Sequence, residues 1–250
     1  MAWAMIMAAA ATGDLASLDL CADEYLLMLA PRDRIASISY LGASEEDNAL
    51  AKRARGLPTN RGSLESLLES GAKTLLTTRP LGRLDSALAA RLGMTVITLD
   101  GGGPDAVASS IDKVARLAGN RPAASRWRDR LRQLEAAAPT VRIPALWIAS
   151  GGVGASPDGA LADWLALAGL APVAARPGLS RVEQVVASTA PIVIRSHYRD
   201  DQYARSADFL EHPLVAKAGK RRLDVDGRRF VCGGPLMLGE IARLQQEMAR

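Results

Sequence analysis

The chain is poor in the residues that build metal cages and covalent frameworks: its 250 residues include two cysteines and two histidines. Cys21 and Cys232 lie far apart and belong to no CxxC pair, so neither a zinc site nor a dense disulfide framework is indicated. Two histidines are too few for a cluster of imidazole metal ligands, which argues against a carrier of bare zinc or manganese. Aromatic residues make up 4% of the chain, so a binding surface has to lean on backbone and arginine as much as on ring stacking. No apolar run reaches the roughly 20 residues needed to cross a bilayer. Excess charge of one sign is missing as well. The 31 Lys+Arg and 27 Asp+Glu leave +4, and the basic residues are scattered, which argues against nucleic acid as a partner. A G-x-S-x-G nucleophile elbow is absent and neither histidine lies in a catalytic motif. The chain therefore reads as a binding module without catalysis or resident cofactor. The competing reading is an α/β enzyme of unknown reaction using Asp100-Gly-Gly-Gly or Ser150-Gly-Gly as a catalytic loop.

What is present is apolar material, 48% of the chain, enough for the core of one large domain or of two lobes. Met1 to Ala11 form an alanine-rich apolar stretch, and residues 1–14 read as the remnant of a secretory signal peptide whose positive start is missing, as if an upstream start codon had been overlooked. The alternative is an N-terminal extension on a cytosolic protein. Asp19 and Leu20 ahead of Cys21 are wrong for the small residues of a lipoprotein cleavage site, which disfavours lipidation.

Beyond the leader, short apolar stretches alternate with helical patterns, the rhythm of an α/β fold with parallel strands. Expected strands are Leu15–Leu20, Arg34–Ser39, Thr74–Thr77, Thr95–Leu99, Ala145–Ala149, Ile192–Arg195 and Leu223–Val225. Between the two groups lie two helical faces, Val107, Ile111, Val114 and Ala118, then Trp127, Leu131, Leu134 and Ala138. Gly119 and Pro122 punctuate them. The expected architecture is two α/β lobes, residues 15–121 and 141–250, joined by a single rigid helix over 122–138, with a ligand cleft between the lobes and little hinge bending.

A faint repeat supports two similar lobes. Gly62-Ser-Leu-Glu-Ser-Leu-Leu, followed by Leu75-Leu76, aligns at an offset of 118 residues with Ser180-Arg-Val-Glu-Gln-Val-Val, followed by Val193-Ile194. In each copy a helix leads into a strand, with Gly62 or Ser180 expected as its N-cap and Glu65 or Glu183 in its first turn.

At this level the sequence resembles the helical-backbone class of periplasmic binding proteins, which serve ABC importers of cobalamin, ferric siderophores and haem. The resemblance covers nearly all of residues 15–240. It rests on Ser17-Leu-Asp-Leu-Cys-Ala-Asp-Glu, Arg34-Ile-Ala-Ser-Ile-Ser-Tyr40, Gly62-Ser-Leu-Glu-Ser-Leu-Leu68, Leu92-Gly-Met-Thr-Val-Ile97, Leu161-Ala-Asp-Trp-Leu-Ala-Leu-Ala-Gly169, Leu179-Ser-Arg-Val-Glu-Gln-Val-Val186 and Phe230-Val-Cys-Gly-Gly-Pro235. The resemblance implies a monomeric periplasmic protein that captures a metal chelate, a ferric siderophore or a cobalamin-type corrinoid, and docks onto ABC permease subunits. It also implies that Glu65 and Glu183, one on each lobe, make the permease contact. Without it, the two glutamates read as helix-capping residues near a helix dipole.

Strand ends in α/β sheets converge on a ligand crevice. The residues expected there are Cys21–Glu24, Tyr40, Thr78–Arg79, Gly151–Asp158, Ser196–Tyr198 and Phe230–Gly234, Cys232 included, with Tyr40, His197, Tyr198 and Phe230 as flat contact surface and Arg79 or Arg199 for anionic ligand groups. The Ser150-Gly-Gly-Val-Gly-Ala-Ser-Pro loop is a poor dinucleotide motif because Pro157 stands where a third glycine belongs, and it is assigned to the cleft rim. Cys21 and Cys232 either pair in an oxidising compartment or stay as small apolar contacts.

Overall fold

The computed structural model describes residues 13–173, 182–198, 208–216 and 221–250. The element order is β1 (Leu15–Ser17), α1 (Leu20–Leu29), β2 (Ile35–Ser39), α2 (Ala51–Ala54), β3 (Thr59–Asn60), β4 (Thr74–Thr77), α3 (Arg83–Arg91), β5 (Thr95–Thr98), α4 (Pro104–Leu117), α5 (Arg121–Ala136), β6 (Ile143–Ala149), α6 (Ala160–Leu167), β7 (Leu170–Pro172), α7 (Val182–Ala187), β8 (Ile192–His197), α8 (Asp208–Glu211), α9 (Pro213–Ala216), β9 (Arg221–Asp226) and α10 (Met237–Met248). Two parallel sheets result, ordered β3-β2-β1-β4-β5 and β7-β6-β8-β9. Each is the sheet of one α/β lobe.

The strands follow from composition. Ile35-Ala-Ser-Ile-Ser is buried at every position, as a central parallel strand covered by helices on both faces must be. Two edge strands, β3 and β7, escaped the sequence reading. β3 is two residues long, and β7 ends on Pro172, a residue tolerated at sheet edges because it donates no ladder hydrogen bond. Two further expectations are corrected. Leu18–Leu20 leave the first strand, because Asp19 caps α1 by accepting from the Ala22 amide at 2.9 Å. Ala138 falls outside α5, whose buried face is Ala124, Trp127, Leu131 and Leu134.

α5 links the two sheets along the chain and packs against α1 and α4 of the first lobe and α10 of the second. Its Trp127 meets Trp164 of α6 edge-to-face, with ring centroids 6.5 Å apart, and donates to the Pro235 carbonyl at 3.1 Å. One apolar cluster runs from Leu15, Leu26 and Ile111 through Trp127 to Trp164, Ile194 and Ile241. Such a continuous core resists relative motion of the lobes because packed interiors deform little.

Candidate functional site

In each sheet the chain reverses direction at one place, between β1 and β4 and between β6 and β8. Crevices form outside the carboxyl ends of strands at such switch points. At the first, Asp19 accepts from the Thr77 hydroxyl, the Thr78 amide and the Thr78 hydroxyl at 2.8–2.9 Å, which fixes the end of β4 to the start of α1. Beside this knot is a cavity of about 180 Å³ lined by Leu18, Asp19, Gly62, Thr77, Arg79 and Asp85, among others. Arg79 is exposed at its edge.

The strand ends of the two lobes meet. Tyr198, just after β8, donates its hydroxyl to Asp47 at 2.7 Å, and Arg228 donates to the Glu45 carbonyl at 2.7 Å. The Gly102 amide donates to the Gly233 carbonyl at 3.0 Å, while Trp164 donates to the Gly102 carbonyl at 2.6 Å. Cys21 on the first turn of α1 and Cys232 in the loop before α10 form a disulfide, with Cα atoms 5.2 Å apart. The question that the sequence left open is answered by a covalent tie between lobes.

The expected contact residues separate on inspection. Tyr40 lies at the end of β2, 57% exposed, and its hydroxyl has no hydrogen bond among the described residues. Tyr198 bridges the lobes. His197 is held by Asp224, 3.1 Å from its Nε2, in a cluster with Arg195. Phe230 is half-buried, its ring packed edge-on against Trp147 of the central strand β6, with centroids 4.9 Å apart. Arg199 lies outside the described residues. Glu65 and Glu183 are exposed, one on each lobe. Glu65 sits in a 3-10 turn over Glu65–Leu67, where its own amide and the Ser63 hydroxyl hold its carboxyl below the usual range. Gly62 is not the cap expected of it. Its φ of +78° makes it the turn residue before that element, and no side chain caps the turn. Ser180 lies outside the described residues.

Sequence reasoning placed Cys21–Glu24 at the strand ends but gave no sign that Asp23 and Glu24 are buried. α1 is sandwiched between the first sheet and α4 and α5, so its acidic positions are buried. Asp23 is 0% exposed and accepts from the Ser17 hydroxyl, the Ser39 hydroxyl and the Ser39 amide. A Cβ at Gly42 would come within 2.4 Å of its Oδ2, so only glycine fits over it. Burial pushes the Asp23 carboxyl up to about 7 from 3.8 against the pull of these hydrogen bonds. Next to it, Glu24 is 1% exposed and its Oε2 has no hydrogen-bond partner among the described residues. Burial first, then the neighbouring Asp23, raise Glu24 well above the carboxylate range. Their spacing resembles that of ordinary helix acids, and only the sandwiching of α1 reveals their burial.

A carboxyl raised in the folded state favours folding most at pH below its unfolded pKa, and loses that contribution as pH rises through the folded value. For Asp23 the window runs from about 4 to about 7. The melting temperature of Asp23→Asn relative to the parent protein is therefore expected to grow more favourable between those limits. A difference that stays flat across the window would show Asp23 to be ionised throughout.

No protein-family model and no curated protein sequence matches the chain. Solved structures do. The periplasmic heme-binding protein HutB of Vibrio cholerae superposes with a TM-score of 0.73 at 18% identity, over 96% of this chain and 100% of that one. The periplasmic heme-binding protein RhuT from Roseiflexus sp. RS-1, in apo form, gives 0.71 at 18% identity, over 95% and 98%. The periplasmic vitamin B12 binding protein BtuF of Vibrio cholerae gives 0.66 at 14% identity, over 94% and 96%. At these identities the likeness is one of fold: the chain has the two-lobed architecture of periplasmic binding proteins along its whole described length.

Proposed function

We propose that this protein is the periplasmic substrate-binding component of an ABC importer, capturing a metal chelate between its lobes and handing it to membrane permease subunits. The observation that carries the reading is the meeting of two pseudo-equivalent sheets, carboxyl edge to carboxyl edge, in the fold of proteins that bind heme and vitamin B12. A bare ion needs several converging donor side chains, and two histidines with both cysteines committed to a disulfide supply few. A prewrapped metal needs only shape, a few polar contacts and charge complementarity. Arg79 at the rim suits an anionic edge, which favours a ferric siderophore over a corrinoid.

Tyr40 favours a second reading within the same class. An exposed phenol without a hydrogen-bond partner among the described residues, at the end of a strand, suits direct ligation of haem iron, for which tyrosine is one of the known axial ligands.

Titration of the purified protein with ferric siderophores, corrinoids and haem, followed by tryptophan fluorescence and visible absorbance, is expected to give saturable binding of at least one of them. Arg79→Ala should weaken an anionic siderophore, and Tyr40→Phe should change the absorbance of bound haem. Binding of bare zinc or manganese with none of the chelates would refute the proposed ligand class.

A further inference from the structure

The repeat seen in the sequence is also a repeat in burial. Leu67 and Val185 are 1% and 0% exposed, Ala72 and Ala190 9% and 4%, and Leu75 and Val193 0% and 1%. The turn into the strand is the same too: Ser70 Oγ accepts from the Ala72 amide at 3.3 Å, and Ser188 Oγ from the Ala190 amide at 3.3 Å. Folding explains these matches, because both helix-to-strand connections must bury the same positions. It does not explain matches on the outside. Glu65 and Glu183 are both exposed, and three residues on in each copy stands an exposed aliphatic side chain, Leu68 at 56% and Val186 at 47%. A single exposed leucine is unremarkable on a protein surface. The same carboxylate-and-aliphatic pair at equivalent positions of two lobes is a duplicated surface, and the spacing of three puts both members on one side of a helical turn.

We propose that Leu68 and Val186 are the apolar halves of two like docking patches, each completed by the glutamate before it. The partner then presents two like surfaces, each a cation beside an apolar patch. This rests on the transport reading, and it adds that docking draws on aliphatic burial as well as charge. Rim charges mainly govern association rate, whereas buried apolar contact slows release.

The test is binding to right-side-out membrane vesicles from the protein's own host. Leu68→Ser and Val186→Ser are each expected to weaken binding about tenfold, the factor for returning roughly half of an aliphatic side chain to water. Leu68→Val, Val186→Leu and the control Val141→Ser, at a 75% exposed position before β6, should bind like the parent protein. Melting temperatures should be unchanged throughout, since each side chain is about half exposed or more. Parent-like binding by the Leu68→Ser, Val186→Ser double variant, with release of a Glu65→Arg, Glu183→Arg protein, overturns this inference alone. Parent-like binding by both proteins overturns the transport reading together with it.

Discussion

Replacing Cys21 and Cys232 together by serine is expected to cost about 2–5 kcal/mol of stability, a fall of about 10 °C in Tm for a chain of this size. The size of the effect follows from the 211-residue separation of the two cysteines, which makes the closed loop nearly as long as the chain. A cross-link removes more freedom from the unfolded ensemble the longer its loop, though measured gains usually fall short of that entropic ceiling. Both sulfurs lie at half-buried positions, so serine leaves no deeply buried hydroxyl to confuse the result. Hydrogen bonds such as Tyr198 to Asp47 and Gly102 to Gly233 also tie the lobes, but a single one of them contributes only about 0.5–1.5 kcal/mol. Thermal unfolding of the parent protein with and without a thiol reductant should reproduce the variant's loss. An unchanged Tm in both comparisons would mean that the bridge contributes nothing to the folded state.

The fold class was legible because its signals are local and repeated. Runs such as Ile35-Ala-Ser-Ile-Ser and Thr95-Val-Ile-Thr, bounded by loop residues, can hardly be anything but strands of a parallel sheet. β3 and β7 were not legible, since two or three residues carry no periodicity and Pro172 reads as a breaker. Glu65 and Glu183 were found through the repeat, which needs only alignment of the chain with itself. The cysteine bridge could not be read, because pairing depends on the lobes being brought together and not on spacing. The packing of Phe230 was not legible for a related reason: its neighbour Trp147 is 83 residues away in sequence and is brought to it by the second sheet. Asp23 and Glu24 were read as cleft residues and their burial was not legible, because helix acids are ordinarily solvated and what buries these two is a sandwich of elements from three parts of the chain.

The claim at the centre of this account is that two like lobes carry a cargo to a membrane partner through one exposed glutamate each. Neither carboxylate lines the cavity beside Arg79, so their charge should be separable from ligand capture. Reversal of both charges replaces attraction with like-charge juxtaposition, which costs several kcal/mol at a contact, and every ~1.4 kcal/mol is tenfold in affinity. The decisive measurement is uptake of the bound chelate by host cells whose sole copy is the Glu65→Arg, Glu183→Arg variant, set beside the chelate affinity of the same purified variant. The account predicts uptake at background with affinity unchanged. Uptake at the parental rate would contradict it.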